Sequence, residues 1–215
     1  LLVMAKRPIP GRVKTRLCPP CTPHQASELA AAALADTLEA MRQTPAERRV
    51  LAIDDASGLT ATGFDVLPQR GRGLGDRIAH AFLDTAATCH SPILQLGMDT
   101  PQINHHLLTT CLHQLHRDDV DAVLGPALDG GWWTLGLRDP HHAGVLRQVP
   151  MSTPRTGQLT AAALRALGLR VALLPVQRDV DTAADLPAVA HAAPRSRFAA
   201  AVNALQPQPA NEVSA

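Results

Sequence analysis

The chain has 215 residues, of which 46% are hydrophobic, so it can bury one sizeable core and a single α/β domain is the expected organisation. Its 20 Lys and Arg residues against 19 Asp and Glu give a formal net charge of +1, which excludes a global field that attracts nucleic acid or an anionic membrane. No apolar stretch approaches the roughly 20 residues of a membrane span, and the opening segment lacks the pattern of a secretory signal. We therefore expect a cytoplasmic protein, with neither nucleic acid nor membrane as a partner, in which any anion site is local.

Apolar runs and helical patterns alternate along the chain. The predicted strands are residues 1–5, 50–53, 64–67, 92–97, 122–124, 132–137 and 170–174. The predicted helices are residues 23–41, 75–87, 104–116, 157–167 and 182–191. Capping-box patterns mark the start of the first helix, at Thr22 and Gln25, and of the last, at Thr182 and Asp185. Strands interleaved with helices predict a mostly parallel sheet covered on both faces.

The composition changes near the end of the sequence. From about residue 206 the chain is rich in Pro, Gln, Asn, Ser and Ala, which is typical of a disordered tail. We therefore assign residues 1–195 to one domain and residues 196–215 to a C-terminal extension that is disordered from about residue 206.

The first predicted strand runs into a cationic loop, AKRPIPGRVKTRL. In open α/β sheets ligands bind beyond the carboxyl ends of the strands, so this loop is a candidate anion site. Gly11 allows close backbone approach to a ligand. Four side chains supply donors for phosphate oxygens: Lys6, Arg12, Lys14 and Arg16. The loop lacks the glycines of a P-loop, which excludes a P-loop NTPase, and a solvated basic loop is the alternative.

A second glycine-rich loop, QRGRGLGDR, ends at the start of a predicted helix. Gln69 in this loop is a candidate contact for a nucleobase. The backbone amides at the helix start, around Gly75, are candidates for a phosphate.

Two acidic stretches follow predicted strands. Asp99 in LGMDTP lies between a rigid strand and a proline turn, which suits a hard divalent cation, although an Asp that starts a turn is common. RDVDTAADL brings Asp179 and Asp181 to a helix start, where carboxylates also offset the helix dipole without any further function.

The stretch ALDGGWWTLGL places a carboxylate, Asp129, before two glycines and two tryptophans. Gly130 and Gly131 let the backbone approach a ligand, and Trp132 beside a carboxylate is a plausible wall for a sugar or another small acceptor. A simple β-turn with core tryptophans is the alternative.

Five stretches, in this order, resemble a bacterial family of nucleotide-diphospho-sugar transferase-like proteins, the DUF2064 glycosyltransferase family: LLVMAKRPIPGRVKTRL, QRGRGLGDRIAHAF, LGMDTP, DGGWWTLGL and LPVQRDVDTAADL. The resemblance covers about residues 1–190. It implies a GT-A-type fold, a single Rossmann-like domain with a mixed sheet between helices, which binds a nucleotide with Mg²⁺ or Mn²⁺. It also implies that Asp99 and Asp181 are the metal ligands, and that residues 1–195 are the catalytic domain.

The sequence departs from the family pattern at three places. The family usually has a small residue at the position of Met98, Tyr at the position of Trp132 and sometimes of Trp133, and Trp-Ser-Thr at residues 151–153, which here read Met-Ser-Thr. These departures leave the fold intact and concern the acceptor pocket.

The expected reaction moves a sugar from a nucleotide sugar to a hydroxyl of a small acceptor. Lys14 and Arg12, with a metal on Asp99, would stabilise the charge that develops on the leaving diphosphate. Asp129 is the candidate base that deprotonates the acceptor hydroxyl.

Two other functions stay open. The family architecture is similar to that of guanylyltransferases that join GTP to phospholactate or phosphoenolpyruvate; there an NTP is the donor, the acceptor is a phosphate and no base is needed. Asp129 would repel such an acceptor, which favours glycosyl transfer. A non-catalytic nucleotide-binding protein is the third possibility.

Overall fold

The computed structural model describes residues 1–88 and 91–205. Its sheet contains β1 (Leu2–Ala5), β2 (Val50–Ile53), β3 (Asp65–Pro68), β4 (Ile93–Gly97), β5 (Ala122–Pro126), β6 (Trp132–Leu137) and β7 (Val171–Leu173). The strand order is β3-β2-β1-β4-β6-β5-β7. Only β6 is antiparallel to its neighbours, β4 and β5, within this part of the chain. The predicted α/β fold with a mostly parallel mixed sheet is therefore confirmed.

The strand directions decide where a site can form. Strands β1, β4 and β5 run in the same direction, and β6 runs in the opposite direction between β4 and β5. The carboxyl ends of β1, β4 and β5 therefore meet at one edge of the sheet, and the amino end of β6 lies at that same edge. The loops that follow β1 and β4, and the turn between β5 and β6, are thus brought together.

In the described residues, six α-helices accompany the sheet: α1 (Pro23–Gln43), α2 (Gly73–Ala86), α3 (His105–Leu115), α4 (Thr156–Ala166), α5 (Leu186–Ala192) and α6 (Arg197–Asn203). The first capping box is confirmed, because Thr22 Oγ1 accepts from the Gln25 amide at 3.2 Å and Gln25 Oε1 accepts from the Thr22 amide at 2.8 Å. The second box, at Thr182 and Asp185, is also present, but it begins a short 3-10 turn before α5. Pro187 in the first turn of α5 lacks the N–H that a continuous helix would need there.

The core has two main layers, one on each face of the sheet. Helices α1 and α3 cover one face, where Leu34 and Leu108 pack against Leu94. Helix α2, a 3-10 segment at Pro140–Gln148 and α4 cover the other, where Phe82 and Leu146 are buried. Burial on both faces explains why the strands read as nearly continuous apolar runs.

The packed fold continues beyond the predicted domain end at residue 195. Asp36 on α1 accepts from the backbone amides of Arg197 and Phe198 at 3.0 and 2.8 Å, which satisfies donors at the start of α6. Phe198 is 1% exposed and joins a third apolar cluster between α1, α5 and α6. The tail predicted from about residue 206 lies outside the described residues. Within the described part of the chain, no helix has the length and apolar character needed to cross a bilayer.

Candidate active site

A cavity of about 590 Å³ opens at the sheet edge where β1 and β4 end and β6 begins. Of the residues predicted for the site, eight line its wall: Lys6, Lys14, Gln69, Asp99, Asp129, Gly131, Trp132 and Asp181. Four do not: Gly11, Arg12, Gly75 and Gly130. The fold therefore brings most of the predicted residues to one place, from segments that are far apart in the sequence.

Lys14 is the inward-facing cation of the loop after β1. Its backbone is left-handed, with φ 51°, just before the 3-10 turn Thr15–Leu17, and its side chain is 9% exposed. Its Nζ lies 2.6 Å from Asp99 Oδ1 and also donates to the Val180 carbonyl oxygen. Lys14 thus connects the first loop to the two acidic segments.

Arg12 does not share this position. It is exposed and outside the cavity wall, and its backbone amide closes a turn onto Ile9 O at 3.0 Å, with Gly11 at φ +76° inside that turn. The left-handed residue at Lys14 turns the chain, so that Arg16 lines the cavity and pairs with Asp181. Of the four cations that the sequence offered for phosphate, Lys6, Lys14 and Arg16 line the cavity and Arg12 does not.

The glycine-rich loop after β3 has a mainly architectural role. Gln69 Nε2 donates to Ala5 O and Ala52 O at 2.8 and 2.9 Å, which ties the ends of β1 and β2 together and leaves Oε1 as the atom for a ligand. Gly75 is buried, and a Cβ there would lie 2.2 Å from Leu146 O. Its lack of a side chain lets α2 pack against the 3-10 segment, and Gly75 itself does not line the cavity in which a phosphate is expected.

The turn between β5 and β6 holds Asp129 at the wall. Asp129 Oδ1 accepts from the Gly131 amide at 2.7 Å. Gly130, at φ +87°, lies so close to the next loop that a Cβ would be 2.0 Å from Pro154 O, and it does not line the cavity itself. Trp132 lines the cavity and donates from Nε1 to Thr160 Oγ1 at 3.2 Å.

A second wall of the cavity is acidic, with Asp99, Asp129, Asp179 and Asp181. Val180 N donates to the Asp99 carbonyl oxygen at 2.8 Å, and this backbone contact brings Asp179 beside the end of β4. Burial, together with the negative charges of Asp129 and Asp99, raises the pKa of Asp179 to about 6, against the opposing effects of a backbone hydrogen bond and the charge of Lys14. The family resemblance implies Asp181 as the second metal ligand. No local signal distinguishes Asp179 from Asp181, because the difference between them lies in the tertiary contact with the end of β4.

The loop before α4 also lines the cavity, and none of its residues was among the predicted site residues. Met151, Ser152, Thr153 and Pro154 all line it, and Ser152 has a left-handed backbone, with φ 58°. Thr156 Oγ1 fixes the loop by accepting from Thr153 N at 3.0 Å and donating to Pro150 O at 2.9 Å. The only earlier indication of this loop was its departure from the family pattern at residue 151.

The donor chemistry of the acidic wall fits a hard divalent cation. Among residues 1–88 and 91–205, no three His, Cys, Asp or Glu side chains are gathered into a preformed metal cluster. Magnesium-type sites, however, often use one or two carboxylates together with phosphates of the substrate. Asp99, whose side chain is 49% exposed, and Asp179 beside it offer two such carboxylates to the cavity.

Several solved structures resemble this fold. A candidate nucleotide-diphospho-sugar transferase from Desulfovibrio desulfuricans G20 matches with a TM-score of 0.83 and 25% identity, over 94% of this chain and 92% of that one. CMP:2-keto-3-deoxy-manno-octonic acid synthetase complexed with CTP matches with a TM-score of 0.57 and 14% identity, over 87% and 95% of the two chains. Rv0371c from Mycobacterium tuberculosis H37Rv, complexed with manganese, gives 0.55 and 17% identity, over 87% and 96%. The last two likenesses concern the fold alone.

The family comparison agrees with the resemblance found in the sequence. No match was found among curated proteins. Residues 28–153, more than half of the chain, match the family described as "Uncharacterized protein conserved in bacteria (DUF2064)". The chain belongs to the DUF2064 family.

Proposed function

We propose that this protein is a metal-dependent glycosyltransferase that moves a sugar from a nucleotide-diphospho-sugar to a hydroxyl of a small acceptor. The observation that carries the proposal is the meeting of cationic and acidic side chains in one cavity. Lys6, Lys14 and Arg16 come from the first loop, and the carboxylates that line the same cavity include the ion-pair partners of two of them, Asp99 and Asp181. A nucleotide diphosphate bound with a divalent cation would match both kinds of charge.

The nucleotide diphosphate lies along the first loop in this proposal. Lys14 and Arg16 supply charged donors, and the negative charge on the leaving diphosphate grows as the bond to the sugar breaks. Their interaction is thus stronger in the transition state than in the ground state, which accelerates the reaction. Gln69 Oε1 is available to accept a hydrogen bond from the nucleobase.

The divalent cation, Mg²⁺ or Mn²⁺, would be held by Asp99 and by Asp179, which we prefer to Asp181 because the backbone contact of Val180 with Asp99 brings Asp179 beside the end of β4. When bound, the cation would neutralise charge on the diphosphate oxygens. The resemblance of the fold to the manganese complex of Rv0371c is consistent with this assignment.

Asp129 is the proposed base for the acceptor hydroxyl. Its Oδ1 is oriented by the Gly131 amide, which leaves Oδ2 for a proton. Trp132 provides an apolar wall next to it. A phosphorylated acceptor would meet the combined negative charge of Asp129 and Asp179, and this repulsion is why we rank glycosyl transfer above nucleotidyl transfer.

Nucleotidyl transfer from an NTP to a phosphorylated small molecule is the second candidate, and the fold shared with a CTP-bound synthetase supports it. A nucleotide-binding protein without catalytic activity is the third.

One experiment separates the three candidates. Panels of nucleotide sugars with small hydroxylated acceptors, and of NTPs with phosphorylated acceptors, are incubated with the protein and Mn²⁺ or Mg²⁺, and the release of diphosphate and of pyrophosphate is measured. We expect diphosphate from a nucleotide sugar, with release reduced in Asp129→Asn. Pyrophosphate release alone would support the second candidate, and nucleotide binding without release of either product would support the third.

A further inference from the structure

The floor of the cavity contains a polar side chain that the proposed chemistry does not use. Gln95 on β4 lines the cavity and is 2% exposed. Its Oε1 is fully buried and has no hydrogen-bond partner among the described residues. A buried amide oxygen without a partner is unfavourable, because the group has lost its hydrogen bonds to water. Because Gln95 lines the cavity, a ligand there would supply the missing partner by drawing the side-chain amide towards it.

The neighbouring glycine leaves room for such a ligand. Gly97 lies two residues after Gln95 on the same strand, so the two residues share a face of the sheet. A Cβ placed on Gly97 would find no atom closer than 3.9 Å, and both residues line the cavity. The space that a side chain at residue 97 would fill is therefore open beside the Gln95 amide.

The surroundings of Gln95 define the kind of group that fits. Met4, Ile78 and Trp132 line the same cavity and are mainly apolar. Thr134 Oγ1 donates to the Gln95 backbone oxygen at 2.7 Å, which holds the strand and does not involve the side-chain amide. The Gln95 side chain is neutral, so it does not itself supply the charge that a phosphate or carboxylate prefers. An amide both donates and accepts, and its simplest complement is a hydroxyl, which does the same.

We infer that Gln95 is a specificity-determining residue that hydrogen-bonds a hydroxyl of the sugar carried by the nucleotide. This inference rests on the proposed function and names the class of the transferred group: a neutral, polyhydroxylated sugar whose hydroxyl reaches the floor of the cavity beside Gly97. A nucleoside diphosphate, which lacks that sugar, leaves Gln95 without a partner.

The test compares wild type with Gln95→Met, which keeps an unbranched side chain of similar length but removes the amide. The probes are UDP, GDP and dTDP and the matching nucleotide sugars UDP-glucose, GDP-mannose and dTDP-glucose, each titrated by calorimetry with Mn²⁺. For the nucleotide sugar that binds wild type, we expect affinity to fall about three- to tenfold, as for one hydrogen bond, with unchanged affinity for its diphosphate. The ligand-free variant should melt about 2–4 °C higher, because an unpartnered buried polar group is gone.

Two further variants test the interpretation independently. Thr85→Val is the matched control: Thr85 Oγ1 is also buried without a partner in the described part of the chain, but Thr85 does not line this cavity. It should raise the melting temperature and leave both affinities unchanged. Gly97→Ala fills the open space without a clash and should weaken nucleotide-sugar binding while sparing the diphosphate.

The outcomes distinguish this inference from the function on which it rests. If no nucleotide or nucleotide sugar binds to wild type, the proposed function fails and the inference with it. In a second outcome, wild type binds a nucleotide sugar while Gln95→Met lowers the affinities for the nucleotide sugar and for its diphosphate equally, or lowers neither. Either result overturns the inference while the proposed function stands. A lower melting temperature for ligand-free Gln95→Met would assign Gln95 a structural role and would likewise overturn it.

Discussion

The two charged walls of the cavity are built in different ways. The basic wall consists of Lys6, Lys14 and Arg16, which lie within eleven consecutive residues of one loop, and Arg77 on α2 also lines the cavity. The acidic wall is assembled from the end of β4, the turn between β5 and β6 and the segment before α5. The two walls are in contact, because Lys14 pairs with Asp99 and Arg16 pairs with Asp181. A ligand with phosphates and a metal can exchange these protein pairs for its own, so each wall can be tested separately.

The largest effect is expected on the acidic wall, from Asp99→Asn. The amide keeps the size of the side chain but removes the charge that holds a hard cation. We expect Mn²⁺ affinity to fall about 100-fold or more, since even residues that only orient a metal ligand change affinity by about 10- to 100-fold. Calorimetric titration of Mn²⁺ with nucleotide present measures this. Asp119→Asn, at an exposed ion pair with Arg117, is the control, and equal Mn²⁺ binding in both variants would contradict the assignment.

On the basic wall, Lys14→Ala should lower the affinity for a nucleoside diphosphate about ten- to a hundredfold. This loss corresponds to one charged hydrogen bond of about 1.5–3 kcal/mol. Binding of the corresponding nucleoside should not change, because the lysine contacts phosphates. Arg12→Ala is the matched control from the same loop. The affinity of this variant for the nucleoside diphosphate should stay near that of wild type, since Arg12 lies outside the cavity. Equal losses for nucleoside and diphosphate in Lys14→Ala would mean that the loop is not a phosphate site.

A smaller difference should separate the two late aspartates. Asp179→Asn is expected to reduce metal-supported nucleotide binding about tenfold. Asp181→Asn should reduce it by less than about fivefold, because it removes an exposed ion pair with Arg16. Parallel titrations of both variants decide between them. A larger loss in Asp181→Asn would restore the ligand that the family resemblance implies.

The smallest effect concerns stability without metal or nucleotide. The pKa of Asp179 is about 6 in the folded protein against its usual 3.8, so the stability contributed by its protonation is fully present below about pH 4 and is lost as the pH rises through 6. Asp179→Asn has no such charge and should melt about 2–4 °C above wild type at pH 7.5. Melting curves with a chelator present should show this advantage shrink between pH 6 and pH 4. A constant difference across that range would contradict the raised pKa.

The sequence alone determined the framework of this protein. Its seven strands, five of its helices and both capping boxes follow from local patterns, because apolar periodicity and capping chemistry depend on residues only a few positions apart. The positions of Lys14, Asp99 and Asp129 in the cavity also follow, since the carboxyl ends of parallel strands share one edge of the sheet.

The tertiary structure decided what each remaining residue does, because those roles depend on contacts between distant segments. The left-handed backbone at Lys14 selects Arg16 over Arg12, and Leu146, 71 residues further along the chain, explains Gly75. Gln95 has no distinguishing local signal, since it lies within an apolar strand and differs from a core position only because Gly97 leaves the cavity open beside it. Such roles arise from the space left between packed segments, and local patterns do not encode that space.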